Sequence, residues 1–171
     1  AQMVFLNYQI KQGEAKFMNQ TSSGTAAGFS HEETLLGAIY EIIERDTFLT
    51  CYLNKYPGYK IDTTTIKDSL TQNYINHTKA YGIDVNIIYL INDLNIPTIL
   101  CILTDKSGFG PAVSIGLKCT PDINSGIRGA LSEAMMIRYW MKVNLFLKMK
   151  NGSPLKKTKI ENVIDRAGYW T

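Results

Sequence analysis

TSSGTAAGFSHEETLLGAIYEIIERD, residues 21 to 46, is the stretch on which the fold turns. A loop rich in glycine and hydroxyl side chains leads into a helix expected over residues 31–49. Ser30 followed by Glu33 forms a capping box that starts this helix. Successive helical residues advance about 100° around the axis. With Glu33 as origin, Glu44 lies near roughly 20°, Gly37 near roughly 40°, Glu41 near roughly 80° and Arg45 near roughly 120°. Leu35, Leu36, Ala38, Ile39, Ile42 and Ile43 take the other side, from roughly 140° to 300°, and are expected to face a core.

Three carboxylates on a narrow stripe repel one another unless a cation stands between them, and only Arg45 follows at i+4 from Glu41. The preceding loop can turn backbone N–H groups toward an anion. A hard metal ion would bridge such carboxylates to phosphate oxygens. Loop, carboxylates and arginine together suggest a magnesium–nucleotide site of an unusual type. A plainer reading stands beside it: the capping box alone accounts for Ser30 and Glu33, and an acidic helix face is an ordinary solvated surface.

The rest of the chain alternates helices and strands. Residues 3–9 read as a strand, and Pro57-Gly58 marks a connection after the first helix. A helix is expected over Thr63 to Tyr81, stopped by Gly82. Strands are expected at Val85 to Ile91, Ile96 to Thr104 and Ala112 to Lys118, with the apolar runs NIIYLI and ILCILT placed centrally. Thr120 reads as an N-cap with Pro121 at the first helical position, opening a helix to about Lys150. Ile160 to Trp170 is open to either assignment. This order predicts an α/β, or α+β layered, fold: a mixed sheet covered by helices.

Length and composition set bounds. The 171 residues, 45% hydrophobic and 19% charged, form one domain with a proper core. A net charge of +3 gives no reason to invoke nucleic acid or a membrane surface. The basic cluster Lys156, Lys157 and Lys159 reads as a solvated turn. Cys51, Cys101 and Cys119 lack disulfide or zinc spacing, and His31 and His77 are isolated. No P-loop occurs, and Gly108-Phe109-Gly110 lacks the third glycine of a dinucleotide fingerprint. No transmembrane run or signal peptide is visible, so a cytoplasmic location is the expectation.

The quoted segment resembles the central part of the YcaO family. Ser22-Ser23-Gly24, Ala26-Ala27-Gly28, Ser30 to Glu33 and Glu41 to Arg45 match its serine–glycine turn, Ala-Ala-Gly, S-x-x-E and E-x-x-E-R elements. A second block, SIGLKCTPDINSGIRGALSEAMMIR at residues 114–138, follows in the family's order. The resemblance implies ATP and Mg2+ as cofactors, held by glutamates on two helices. By position Glu33, Glu41, Glu44 and Glu133 would be metal ligands, and Ser23, Ser30, Arg45 and Arg138 would contact the nucleotide. It also implies activation of peptide backbone amides, with a precursor peptide as substrate, a partner protein presenting it, and a homodimer. A full family domain is longer, so residues 1–171 are expected to be a single partial domain lacking N- and C-terminal parts.

One position departs from the family pattern. Met136 stands where a glutamine or glutamate is usual, and it offers no hard oxygen. Arg138, about 140° around the helix from Glu133, reads as a phosphate contact or as a surface residue. Two functions follow. The first is ATP-dependent cyclodehydration of Cys, Ser or Thr in a bacteriocin or toxin precursor, giving thiazoline or oxazoline rings. The second is a non-catalytic scaffold of the same fold that docks a peptide or partner enzyme, which Met136 favours.

Overall fold

The structure, a computed structural model, describes residues 9–16 and 21–152. The expected strand at 3–9 lies outside these residues apart from its last position, and the basic cluster and the segment Ile160 to Trp170 lie wholly outside them. The chain divides into two compact units, residues 1–45 and 46–171. The long helix α1, His31–Leu53, begins in the first and ends in the second.

In the second unit a four-stranded sheet carries the core. Its order is β1 (Tyr59–Ile61), β2 (Ile83–Leu90), β3 (Thr98–Asp105) and β4 (Val113–Cys119). Among the described residues every pairing is antiparallel, so the sheet is not mixed there, although the order of elements had implied that it would be. β2 and β3 are inner strands, and β3 buries Thr98 through Cys101 and Leu103. Side chains alternate between two faces because the strand period is two. Ile83, Val85, Ile87, Ile99, Cys101 and Leu103 meet Ile75 of α2 (Ser69–Ala80) and Ile127, Ala130, Leu131 and Ala134 of α3 (Ile123–Lys150). Leu90, Leu100 and Leu117 face the other way, onto Phe48 and Cys51 in the last turns of α1. The result is an α+β layered arrangement, as expected from the alternation of elements.

Several boundaries moved for local reasons. The single helix expected over Thr63 to Tyr81 is a 3-10 turn, Thr63–Thr65, followed by α2. Two aspartates divide it: Asp62 accepts from the Thr64 N–H, and Asp68 accepts from the Thr71 N–H as N-cap of α2. Likewise α3 is capped by Asp122, not Thr120; its carboxylate accepts from Asn124 N (3.3 Å) and Ser125 N (3.1 Å). A carboxylate satisfies two orphan helix donors at once, which a threonine hydroxyl beside Pro121 does not. The strand β1 was not anticipated. It follows Gly58, whose φ of +67° lets the chain turn back against β2.

The three cysteines are free and buried. Burial pushes the Cys101 thiol up to about 12. No described helix is long and apolar enough to cross a membrane.

The closest backbone approach lies where α3 crosses β4. A Cβ added to Gly116 would sit 2.2 Å from the Ala130 carbonyl oxygen and 2.3 Å from the Ala134 nitrogen. Neither backbone atom can yield without moving the helix. Gly116→Ala is therefore expected to destabilise the chain by about 2–3 kcal/mol, read as a lowered urea midpoint. An unchanged midpoint would show that α3 does not rest on this residue.

Candidate functional site

The candidate residues of the first unit are held by local hydrogen bonds. Ser30 Oγ accepts from Glu33 N at 3.1 Å, and Glu33 Oε2 accepts from Phe29 N at 2.9 Å. This is the expected capping box, with the return bond made one residue earlier. Glu41 Oε2 accepts from the backbone N–H of Gly24, and Glu41 Oε1 lies 3.4 Å from Arg45 Nε. Gly24 has φ of +81°, and a Cβ there would meet Ile42 at 3.1 Å. The glycine thus lets the hydroxyl-rich loop lie against the helix and aim an N–H at the carboxylate. Ser23 is exposed, and its N–H donates to Thr21 Oγ1 at 3.1 Å within the same turn.

The polarity of α1 differs from the expectation. Leu35, Leu36, Ile39 and Ile42 are exposed, whereas Glu44 is only 6% exposed. The first unit contributes one helix end and an irregular loop, so its described residues provide no sheet to cover the apolar stripe. Periodicity identified a two-faced helix correctly but could not say which face would be buried.

In the second unit Glu133 and Arg138 sit on α3. Glu133 Oε2 accepts from Leu117 N of β4 at 2.6 Å. Arg138 is buried, which excludes its surface reading, and its Nη2 lies 2.5 Å from Asp105 Oδ2. Arg138 Nη1 is buried and has no hydrogen-bond partner among the described residues. Burial raises the pKa of Asp105, but hydrogen bonds from Ser107 and the charge of Arg138 outweigh it and hold the carboxyl below its ordinary value. Met136 is exposed at 61%. Asp105 and Leu117 N were absent from the sequence reading, because no motif marks a strand end as the partner of a helix residue 33 or 16 positions later.

A common pattern emerges. Glu33, Glu41 and Glu133 each have one carboxylate oxygen fixed by a backbone N–H from outside their own helix. Such a bond orients a carboxylate and leaves the second oxygen for another contact. Among the described residues no group of three His, Cys, Asp or Glu side chains stands ready to hold a metal ion. Magnesium does not require one. It keeps waters and takes one or two carboxylates plus phosphate oxygens, so the anchored glutamates of each unit are, taken singly, of the kind it accepts.

The family described as "YcaO cyclodehydratase, ATP- and Mg2+-binding" matches residues 1–170. A protein of Methanothermobacter thermautotrophicus, itself uncharacterized, is 23% identical over 141 residues. That match takes in 81% of this chain and 36% of the relative, so the chain spans about a third of that protein's length. Two solved structures share the fold. One, described as a heterocyclase in complex with substrate and cofactor, superposes with a TM-score of 0.73 at 20% identity, over 96% of this chain and 20% of its own. The other, the heterocyclase TruD, gives a TM-score of 0.68 at 24% identity, over 80% of this chain and 20% of its own. At these identities the likeness shows the α+β fold.

The buried pair sets a pH dependence. Asp105 has a depressed folded pKa, so its stabilisation is fully present above the ordinary value of 3.8 and is lost as the pH falls from there through the folded value. Asp105→Asn leaves the Arg138 charge uncompensated and is expected to cost about 3 kcal/mol at neutral pH. Urea unfolding of both proteins between about pH 7 and about pH 3 should show the difference shrinking in acid. A difference that stays constant would mean that the carboxylate's charge is not what matters.

Proposed function

The chain belongs to the YcaO family, and from that premise we propose that it is the nucleotide-holding portion of an enzyme that activates peptide amides with ATP and magnesium. The observation that carries this reading is the set of glutamates on family motifs whose carboxylates are oriented by backbone N–H groups. In the proposed roles Glu33, Glu41, Glu44 and Glu133 hold magnesium. Ser23, Ser30, Arg45 and Arg138 face the nucleotide, with Arg138 Nη1 the donor that Asp105 leaves over. Glu41 and Arg45 already neutralise each other, so binding of a metal at Glu41 would release the guanidinium toward phosphate.

The substrate proposed is a precursor peptide, and the reaction is cyclodehydration at Cys, Ser or Thr, of the kind that makes bacteriocins or toxins. ATP, when bound, would supply the phosphoryl group that turns the amide oxygen into a leaving group. The chain's own residues supply positioning and charge neutralisation, which is most of what phosphoryl transfer asks of a protein. A partner protein that presents the peptide, a homodimeric assembly and a cytoplasmic setting complete the reading. The family's description, and a structural neighbour described as holding substrate and cofactor, support the nucleotide and substrate parts of this reading.

A second reading is a scaffold that keeps the fold and docks a peptide or partner enzyme without chemistry. Met136, exposed and lacking a hard oxygen on the helix of Glu133, favours it.

Calorimetric titration of Mg-ATP separates the two. Binding that requires magnesium and weakens about 10-fold or more in Glu41→Gln and in Glu133→Gln is the expected result. Equal binding in the folded variants would remove these glutamates from the site. No binding by the folded chain would favour the scaffold.

A further inference from the structure

The second unit contains a cleft of about 630 Å³ that none of the roles above uses. Its walls come from three places: Asp46, Thr47, Thr50 and Cys51 near the end of α1; Tyr56 to Tyr59 leading into β1; and Ile91 to Asp93 after β2. The walls are fixed. Asn92 Nδ2 donates to Thr47 Oγ1 (3.2 Å), Ile96 O (2.8 Å) and Thr98 Oγ1 (3.1 Å), and Thr47 is fully buried. Asp46 and Asp93 therefore flank the two residues joined by one hydrogen bond. Gly58 draws the tyrosine wall inward: a Cβ there would meet the Tyr89 carbonyl oxygen at 2.8 Å.

The charge of this cleft is one-sided. The carboxylates of Asp46 and Asp93 make no hydrogen bond or ion pair among the described residues, and no lining residue is basic. α1 ends beside the cleft without a basic residue in its last turn, so its partial negative charge adds to theirs. Two tyrosine rings, Tyr56 and Tyr59, each 65% exposed, supply π faces beside the carboxylates. Two carboxylates with aromatic faces suit an organic cation better than a metal, and arginine better than lysine, because a guanidinium stacks and forks at once. Next to the cleft, β1 pairs only with β2 among the described residues, leaving an edge to which an extended main chain can add.

We propose that this cleft seats an arginine or lysine side chain of the peptide on which the chain acts, with the peptide backbone running along the edge of β1. The proposal rests on the peptide-modifying reading above and names a feature of its substrate: a cationic residue held apart from the nucleotide.

The test is fluorescence anisotropy of the 171-residue chain with dye-labelled Gly-Gly-Arg-Gly-Gly amide and its glutamate counterpart. The arginine peptide should bind and the glutamate peptide should not. Asp46→Asn combined with Asp93→Asn should weaken binding about tenfold, and Tyr56→Leu should weaken it independently. Both aspartates are exposed, and circular dichroism will verify that the variants fold. Equal binding of the two peptides, no binding of either, binding unchanged in the double variant, or displacement of the peptide by magnesium chloride alone would each overturn the proposal. Mg-ATP calorimetry keeps the two readings distinct. Nucleotide binding without arginine preference sinks the cleft alone, and arginine preference without nucleotide binding sinks the nucleotide reading alone.

Discussion

The second unit depends on a helix lying directly on bare backbone. α3 crosses β4 at Gly116, where Ala130 and Ala134 bring main chain to main chain. Any side chain there would lift the helix from the sheet. With the helix seated, Ile127 and Leu131 reach the core formed by β2 and β3. The same seating places Glu133 against the Leu117 N–H and carries Arg138 to Asp105 at the end of β3. Packing and polar chemistry are thus set by one contact. A carboxylate and a guanidinium on the same helix are both committed to the sheet before any ligand is considered.

The first unit is organised by a different device. Its helix is entered through a capping box in which Ser30 Oγ accepts from Glu33 N and the Glu33 carboxylate accepts from Phe29 N, and the loop before it is tied back through Gly24 and Glu41. Both ties use carboxylates that the family motif supplies. Residues that a structural account would assign to capping and a functional account to metal binding are the same residues. A carboxylate has two oxygens and each backbone tie uses one; at Glu41 the other faces Arg45.

Much of this was legible in the chain itself. β2, β3 and β4 announced themselves through apolar runs bounded by Asn92-Asp93 and Lys106 to Gly108, and α3 ended near Asn151 as its stop signals indicated. Local chemistry explains the errors. Asp62 and Asp68 look like ordinary helix surface in a linear reading, yet each is a better cap than any neighbour and so breaks one helix into two pieces. The candidate site was legible only as far as motifs reach. Glu33, Glu41 and Arg45 share a helix, and their spacing exposes them. Asp105 and the Leu117 N–H meet Arg138 and Glu133 only through tertiary packing, which leaves no local trace. The exposure of Leu35, Leu36, Ile39 and Ile42 was equally illegible, since periodicity reports a face and not its surroundings.

The buried thiols carry one more consequence. Cys101 on β3, Cys119 on β4 and Cys51 on α1 are all buried, and burial pushes the Cys101 thiol up to about 12. While the layers stay closed a thiol-seeking reagent finds Cys101 and Cys119 covered, whereas Cys51 borders the cleft beside the end of α1. Cys101 and Cys119 become reactive only when their own strands open, so their labelling rates read out how often β3 and β4 breathe.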